Sequence, residues 1–186
     1  MSADTSIRRL IDILDDERHP ARFVFQENKV VGLVTYADLN DAVARTALYL
    51  LISQLEIRLA RLIRMGEKDI WTYIENLDEK RQERLRDLQD EMEEEDVVHD
   101  LVEHFTLSDV VEIVRNEPSL LERTEIPSRD HFNGYISGVK EMRHDVAHSV
   151  RLVVDSVDGV KEVNHACKSI EKFLDKIPLH SPQLAP

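Results

Sequence analysis

An arginine, two histidines and a carboxylate fall within six positions near the C-terminus: Arg143, His144, Asp145 and His148. These residue types suit cleavage of an RNA phosphodiester. The reaction needs a group that moves the proton of the 2′-hydroxyl or of the leaving oxygen, and imidazole titrates near working pH. It also needs a fixed cation where the phosphorane gathers negative charge, which a guanidinium offers as a two-pronged fork. Geometry sets a condition. Five residues of regular helix turn through about 500°, so Arg143 and His148 would point about 140° apart. Either the helix ends between them, or two chains complete one cleft. Two structural alternatives stand beside the chemical one. Arg143 could pair with a carboxylate on a neighbouring helix, and His148 could be a satisfied interfacial histidine. His144 and His148, at i and i+4, share a helical face and could hold a metal. No third ligand stands at a convincing spacing, so no metal set is assigned.

The segment Lys140-Glu141-Met142-Arg143-His144-Asp145-Val146-Ala147-His148, with its apolar lead-in and a final amphipathic helix after it, resembles the R-[Asn/Asp/His]-x-x-x-H motif of the HEPN family. The resemblance covers residues 41–178 and implies an all-helical bundle. It further implies metal-independent cleavage of an RNA substrate, without cofactor, by a homodimer with motifs from both protomers facing each other. In that reading Arg143 binds the scissile phosphate, His148 transfers the proton, and His144 or Asp145 orients or assists. Some relatives carry a tyrosine two residues after the motif histidine, where a partner enzyme adds nucleotides. Val150 stands there in this chain, so that regulation is not expected. The resemblance also brings toxins and stress or defence effectors into view, with a regulatory or antitoxin-like partner.

At the other end, residues 29–39 read K-V-V-G-L-V-T-Y-A-D-L after a helix and a strand, which resembles the second part of a CBS motif. The resemblance implies that Thr35 and Asp38 help hold the ribose and phosphate of an adenine nucleotide. Such motifs work in pairs, and this chain has one, without its opening strand. The plainer reading is a helix cap, Thr35 followed three residues on by Asp38. The expected organisation is a partial CBS-like α-β-β element over 1–40, a HEPN-like bundle over 41–178 and a tail over 179–186.

The chain has 186 residues, 42% hydrophobic, with five Gly and six Pro, which favours a mainly α fold with a real core. One cysteine, Cys167, excludes an intrachain disulfide framework and fits a reducing cytoplasm. It lies on an apolar helical stripe. The charged start MSADTSIRRLIDILDDER does not read as a signal peptide, and the longest apolar run, 47–53, is too short to span a bilayer, so no membrane partner is expected. The net charge of −13 argues against broad nucleic-acid binding. It leaves room for a local cationic cleft, because Lys140, Arg143, His144, His148 and Arg151 fall within twelve residues.

Periodicity supplies the elements. Residues 5–17 read as a helix capped by Thr5 or Asp4 and broken at His19-Pro20. Residues 22–26 and 29–35 read as strands around Glu27-Asn28. Residues 38–65 read as one long helix with Leu48, Leu51, Ile52, Leu55, Leu59, Leu62 and Ile63 on its apolar face, closed by Gly66. Residues 67–77 read as a short helix anchored by Trp71. Residues 78–96 read as a solvated charged helix ending in an acidic block, with a basic partner as the sharper alternative. His99 and His104, five apart, do not make a metal pair. Thr106 to Asp109 opens a helix that Asn116 to Pro118 ends. Residues 116–129 read as an ordered loop or hinge. Ser128 or Asp130 caps a single motif helix, and a last helix spans 158–177, stopped by Pro178. A non-catalytic dimeric interaction module, with the front end sensing a nucleotide or docking a partner, is the alternative to the enzyme.

Overall fold

The computed structural model describes residues 1–15, 21–94 and 100–177, and is mainly helical with one small antiparallel sheet near the N-terminus. The expectations placed on His19-Pro20, Glu95-Asp96, His99, Pro178 and the tail over 179–186 lie outside the described residues. The chain divides into two compact units: Met1–Ser53 with Tyr135–Lys172, and Gln54–Gly134 with Phe173–Pro186. No helix among the described residues is long and apolar enough to cross a membrane.

The first unit opens with α1 (Ile7–Leu14), whose stripe Leu10, Ile11 and Leu14 is buried. Its cap is Ser6, not Thr5 or Asp4. The Ser6 hydroxyl accepts the Arg9 N–H, while the Thr5 hydroxyl donates to the Ser2 carbonyl. A hairpin follows, β1 (Ala21–Gln26) against β2 (Lys29–Thr35), with a bulge between Val24 and Phe25. Its two-residue turn puts both Glu27 and Asn28 at positive φ, 46° and 64°. That conformation matches the right-handed twist of paired strands.

The long helix expected from residue 38 does not start there. Tyr36–Asn40 winds a 3₁₀ turn, Asp41 is extended (φ −71°, ψ 156°), and α2 runs Ala42–Arg64. The cause is the Thr35–Asp38 cap. The Asp38 carboxylate accepts the Thr35 N–H at 2.6 Å and its hydroxyl at 3.0 Å, winding a separate turn. The expected motif helix is also two helices, α7 (Arg129–Ile136) and α8 (Val139–Ala147). Gly138 sits between them at φ 76°, a left-handed conformation that glycine adopts without strain. The last helix, α9 (Val157–Lys176), matches expectation. Its Val160, Val163, Cys167 and Ile170 are buried. Burial pushes the Cys167 thiol up to about 12.

In the second unit, α3 (Ile70–Ile74) is capped by Asp69, which accepts the Trp71 N–H at 2.8 Å. The expected anchor Trp71 is only half-buried, with the Arg86 guanidinium 5.9 Å from its ring centroid. Tyr73 takes the buried place instead. A Cβ on Gly66 would fall 1.9 Å from the Tyr73 hydroxyl oxygen, so the ring needs a glycine there. The charged helix α4 (Glu79–Glu94) buries Leu85 alone. A 3₁₀ turn (Leu101–His104) leads to α5 (Leu107–Asn116). The helix starts where the sequence predicts, and Thr106 and Asp109 form a reciprocal capping box there. The stretch expected as a loop holds α6 (Pro118–Arg123). Proline at the first helical position starts this helix, because its missing N–H would be unpaired there anyway. Phe132 and Phe173 meet edge to face at 5.5 Å.

Candidate functional site

The site lies at the C-terminal end of α8, within the first unit. Helical spacing sorts this short helix into three strips. Val139, Met142 and Val146 are buried and anchor it. At about 100° per residue, Lys140, Arg143 and His144 fall within about 100° of arc on one side. Glu141 and Asp145 fall on the opposite flank. There they line a cleft of about 600 Å³ whose wall also holds Met142, Val163 and His165. The acidic flank repels phosphate, so an anion would approach the basic strip.

The helix ends inside the motif. Ala147 is its last residue, and His148 is extended at φ −104°, ψ 103°. Its N–H still donates to the His144 carbonyl at 3.2 Å. This break meets the geometric condition read from the sequence, since His148 is no longer bound to helical periodicity. The outcome is a histidine pair. The His144 and His148 rings meet edge to face with centroids 4.5 Å apart, and both residues are exposed. Arg143 is half-exposed on the strip beside His144. The Asp145 side chain accepts from Arg151 at 3.4 Å. Among the described residues no group of three or more His, Cys, Asp or Glu side chains is arranged to hold a metal.

Two residues that the motif does not include hold this end in place. The Arg45 guanidinium donates to the carbonyls of Asp145 at 2.8 Å, Val146 and His148 at 3.4 Å each, and to that of Arg151. Its Nε is tied to the Asn40 carbonyl at 2.9 Å. Those of Asp145 and Val146 lie in the last turn of α8, where carbonyls lack a helical partner and carry partial negative charge. Arg45 satisfies both needs. Asn40 clamps the next stretch: its Oδ1 accepts the Val153 and Val154 N–H groups at 2.7 and 3.1 Å, and its Nδ2 donates to the Val154 carbonyl at 2.8 Å. Between these clamps Val150, at 94% exposure, and Leu152 stand out into solvent. Arg45 and Asn40 escape sequence reading because nothing local marks them. Their partners are about a hundred positions away, at separations of 100 and 114 residues.

Thr35 and Asp38 open the 3₁₀ turn Tyr36–Asn40. Their polar groups meet each other in the cap, so the capping reading describes their geometry.

Compared with known proteins, the chain matches no family model, no curated protein sequence and no solved structure.

Proposed function

We propose that this chain is a metal-independent endoribonuclease of HEPN type, acting as a homodimer with a composite active site. The observation that carries this reading is the exposed His144–His148 pair at the broken end of α8, flanked by Arg143 on the basic strip. Arg143 engages the scissile phosphate. His148 moves the proton as the 2′-oxygen attacks phosphorus and the bond to the 5′-oxygen breaks, leaving a 2′,3′-cyclic phosphate and a 5′-hydroxyl. His144 sits where it can orient His148. Asp145, held by Arg151, positions the loop rather than the substrate. A cytoplasmic toxin or stress effector is the setting that fits such an activity.

The test is incubation of the purified protein with labelled total RNA and tRNA in excess EDTA, beside Arg143→Ala and His148→Ala. Cleavage by the wild type alone, with cyclic-phosphate ends, is the expected result. A folded wild type that cuts nothing would overturn the reading.

A second reading, a non-catalytic dimeric interaction module, is favoured by one observation. The hairpin leaves Phe23, Phe25, Val30, Val31 and Leu33 exposed to solvent. Surfaces of that kind mark interaction sites.

A further inference from the structure

The Thr35–Asp38 cap supports more than its own turn. The turn it opens, Tyr36–Asn40, stands between two extended residues, Thr35 (φ −130°, ψ 178°) and Asp41 (φ −71°, ψ 156°). Neither the strand before it nor the helix after it therefore winds it. Short 3₁₀ turns have poor hydrogen-bond geometry, so such a turn relies on its ends. The first end is the Asp38 carboxylate, which accepts the Thr35 N–H and hydroxyl. The last residue is Asn40, and the buried Leu39 before it sets the depth of the turn.

Asn40 reaches the end of α8 by two routes. Its side chain engages donors and acceptor together. Nδ2 donates to the Ala37 carbonyl at 3.2 Å as well as to the Val154 carbonyl at 2.8 Å, and Oδ1 accepts the Val153 and Val154 N–H groups. The Ala37 bond ties the Asn40 side chain to the winding of its own turn. The Asn40 backbone carbonyl takes the second route. It accepts from the Arg45 Nε at 2.9 Å, and the same guanidinium donates to the carbonyls of Asp145, Val146, His148 and Arg151. Both ends of the segment 148–154 are thus fastened to one turn.

The segment has few other anchors. His148, Ser149, Val150, Arg151 and Leu152 are all exposed, and only Val153 and Val154 beyond them are buried. The His148 N–H to the His144 carbonyl and the Arg151 N–H to the His148 carbonyl, at 3.2 and 2.9 Å, shape the segment locally. They do not fix it against the rest of the fold. The bonds from Asn40 and Arg45 do.

We infer that Asp38, with Thr35 as its partner, is a positioning residue for the α8 site: their cap winds the turn whose last residue sets where His148 stands. The consequence for cleavage rests on the ribonuclease reading, and the effect on the segment does not.

The test measures amide hydrogen exchange and cleavage kinetics on the full chain, for wild type, Asp38→Ala, Asp38→Asn, Thr35→Ser and Ser6→Ala. The Val153 and Val154 N–H groups bond Asn40, so they report the far end of the connection. In Asp38→Ala they should exchange about tenfold faster or more, while the amides of the buried Ala166 and Cys167 keep their rates. That difference separates release of the segment from loss of the whole fold. Thr35→Ser keeps both donors and should match wild type. Asp38→Asn keeps one acceptor, should fall between, and serves if Asp38→Ala does not fold. Ser6→Ala removes the cap of α1 and should leave both valine amides unchanged. Cleavage by Asp38→Ala should lose about tenfold in kcat with KM nearly kept, since Arg143 stands on the body of α8 and still engages the phosphate. Unchanged exchange at Val153 and Val154 in a folded Asp38→Ala, or in Asp38→Asn if only that variant folds, would overturn the inference. So would faster exchange with an unchanged kcat in an active enzyme. A wild type that cuts nothing, with both valine amides released in Asp38→Ala, would count against the ribonuclease reading only.

Discussion

The start of α5 and the end of α8 are both helix termini rich in charge, and they dispose of it in opposite ways. At α5 the buried Asp109 accepts from Arg81 at 2.8–3.1 Å and from the Thr106 N–H and hydroxyl at 2.6 and 2.8 Å. Arg81 also donates to the His104 carbonyl at 2.8 Å. Carboxylate and guanidinium are turned inward and satisfied. At α8 the inward cation is Arg45, borrowed from α2, and it bonds only backbone. The helix's own Arg143 and His144, with His148 just beyond, remain at the surface. One end uses its charged side chains to hold the fold. The other is held from outside, by Arg45 and Asn40.

The largest effect should come from breaking the inward end. Asp109→Ala strands Arg81 and removes the cap, and should cost about 3–5 kcal/mol of stability, read as a lowered urea midpoint. His148→Ala should do the reverse. Cleavage should fall about 100-fold or more, while stability stays within about 0.5 kcal/mol. A large stability loss there would mean the imidazole is structural and would erase the contrast. Asn40→Ala should lie between them. It leaves backbone groups of the buried Val153 and Val154 unpaired, at about 1–3 kcal/mol, and should lower cleavage through the loop.

The smallest effect depends on pH. Partial burial works to raise the Glu117 carboxyl, but the hydrogen bonds from Lys68 and Ser119 and the Lys68 charge outweigh it and hold it below its ordinary value. A lowered folded value means the carboxylate stabilises the fold above the ordinary glutamate range. That contribution is lost as pH falls through the lowered value. Urea midpoints of wild type and Glu117→Gln should therefore converge between neutral and acidic pH. Curves that stay parallel would show that Glu117 does not titrate with folding.

What the sequence discloses follows how local each determinant is. The Thr106–Asp109 and Thr35–Asp38 caps are legible because each is closed within four residues. The motif residues are legible by type. The break between α7 and α8 was available in Ser137-Gly138, a turn-forming pair, but the apolar period running through it masked the signal. Pro118 follows the end of α5, as the sequence predicts, but it also starts α6, and nothing local to the proline separates the two roles; the buried Leu120 after it marks the new helix. Ser6 displaced Thr5 because Thr5 found the Ser2 carbonyl. Tyr73 displaced Trp71 because Gly66, seven residues earlier, left room for its ring. Arg45 and Asn40 carry no local signal for their clamping role, since the bonds that hold residues 145–154 exist only once the chain has closed on itself.

The buried thiol of Cys167 has a practical consequence. Raised to about 12 and shielded from solvent, it gives up almost no thiolate at neutral pH while α9 is in place. Alkylation can then proceed only during excursions that bare the helix, so the rate of labelling is a clock on those excursions. Being the sole cysteine of the chain, it needs no engineered probe. Any ligand that settles on the first unit should slow that clock in proportion to how tightly it holds the unit shut.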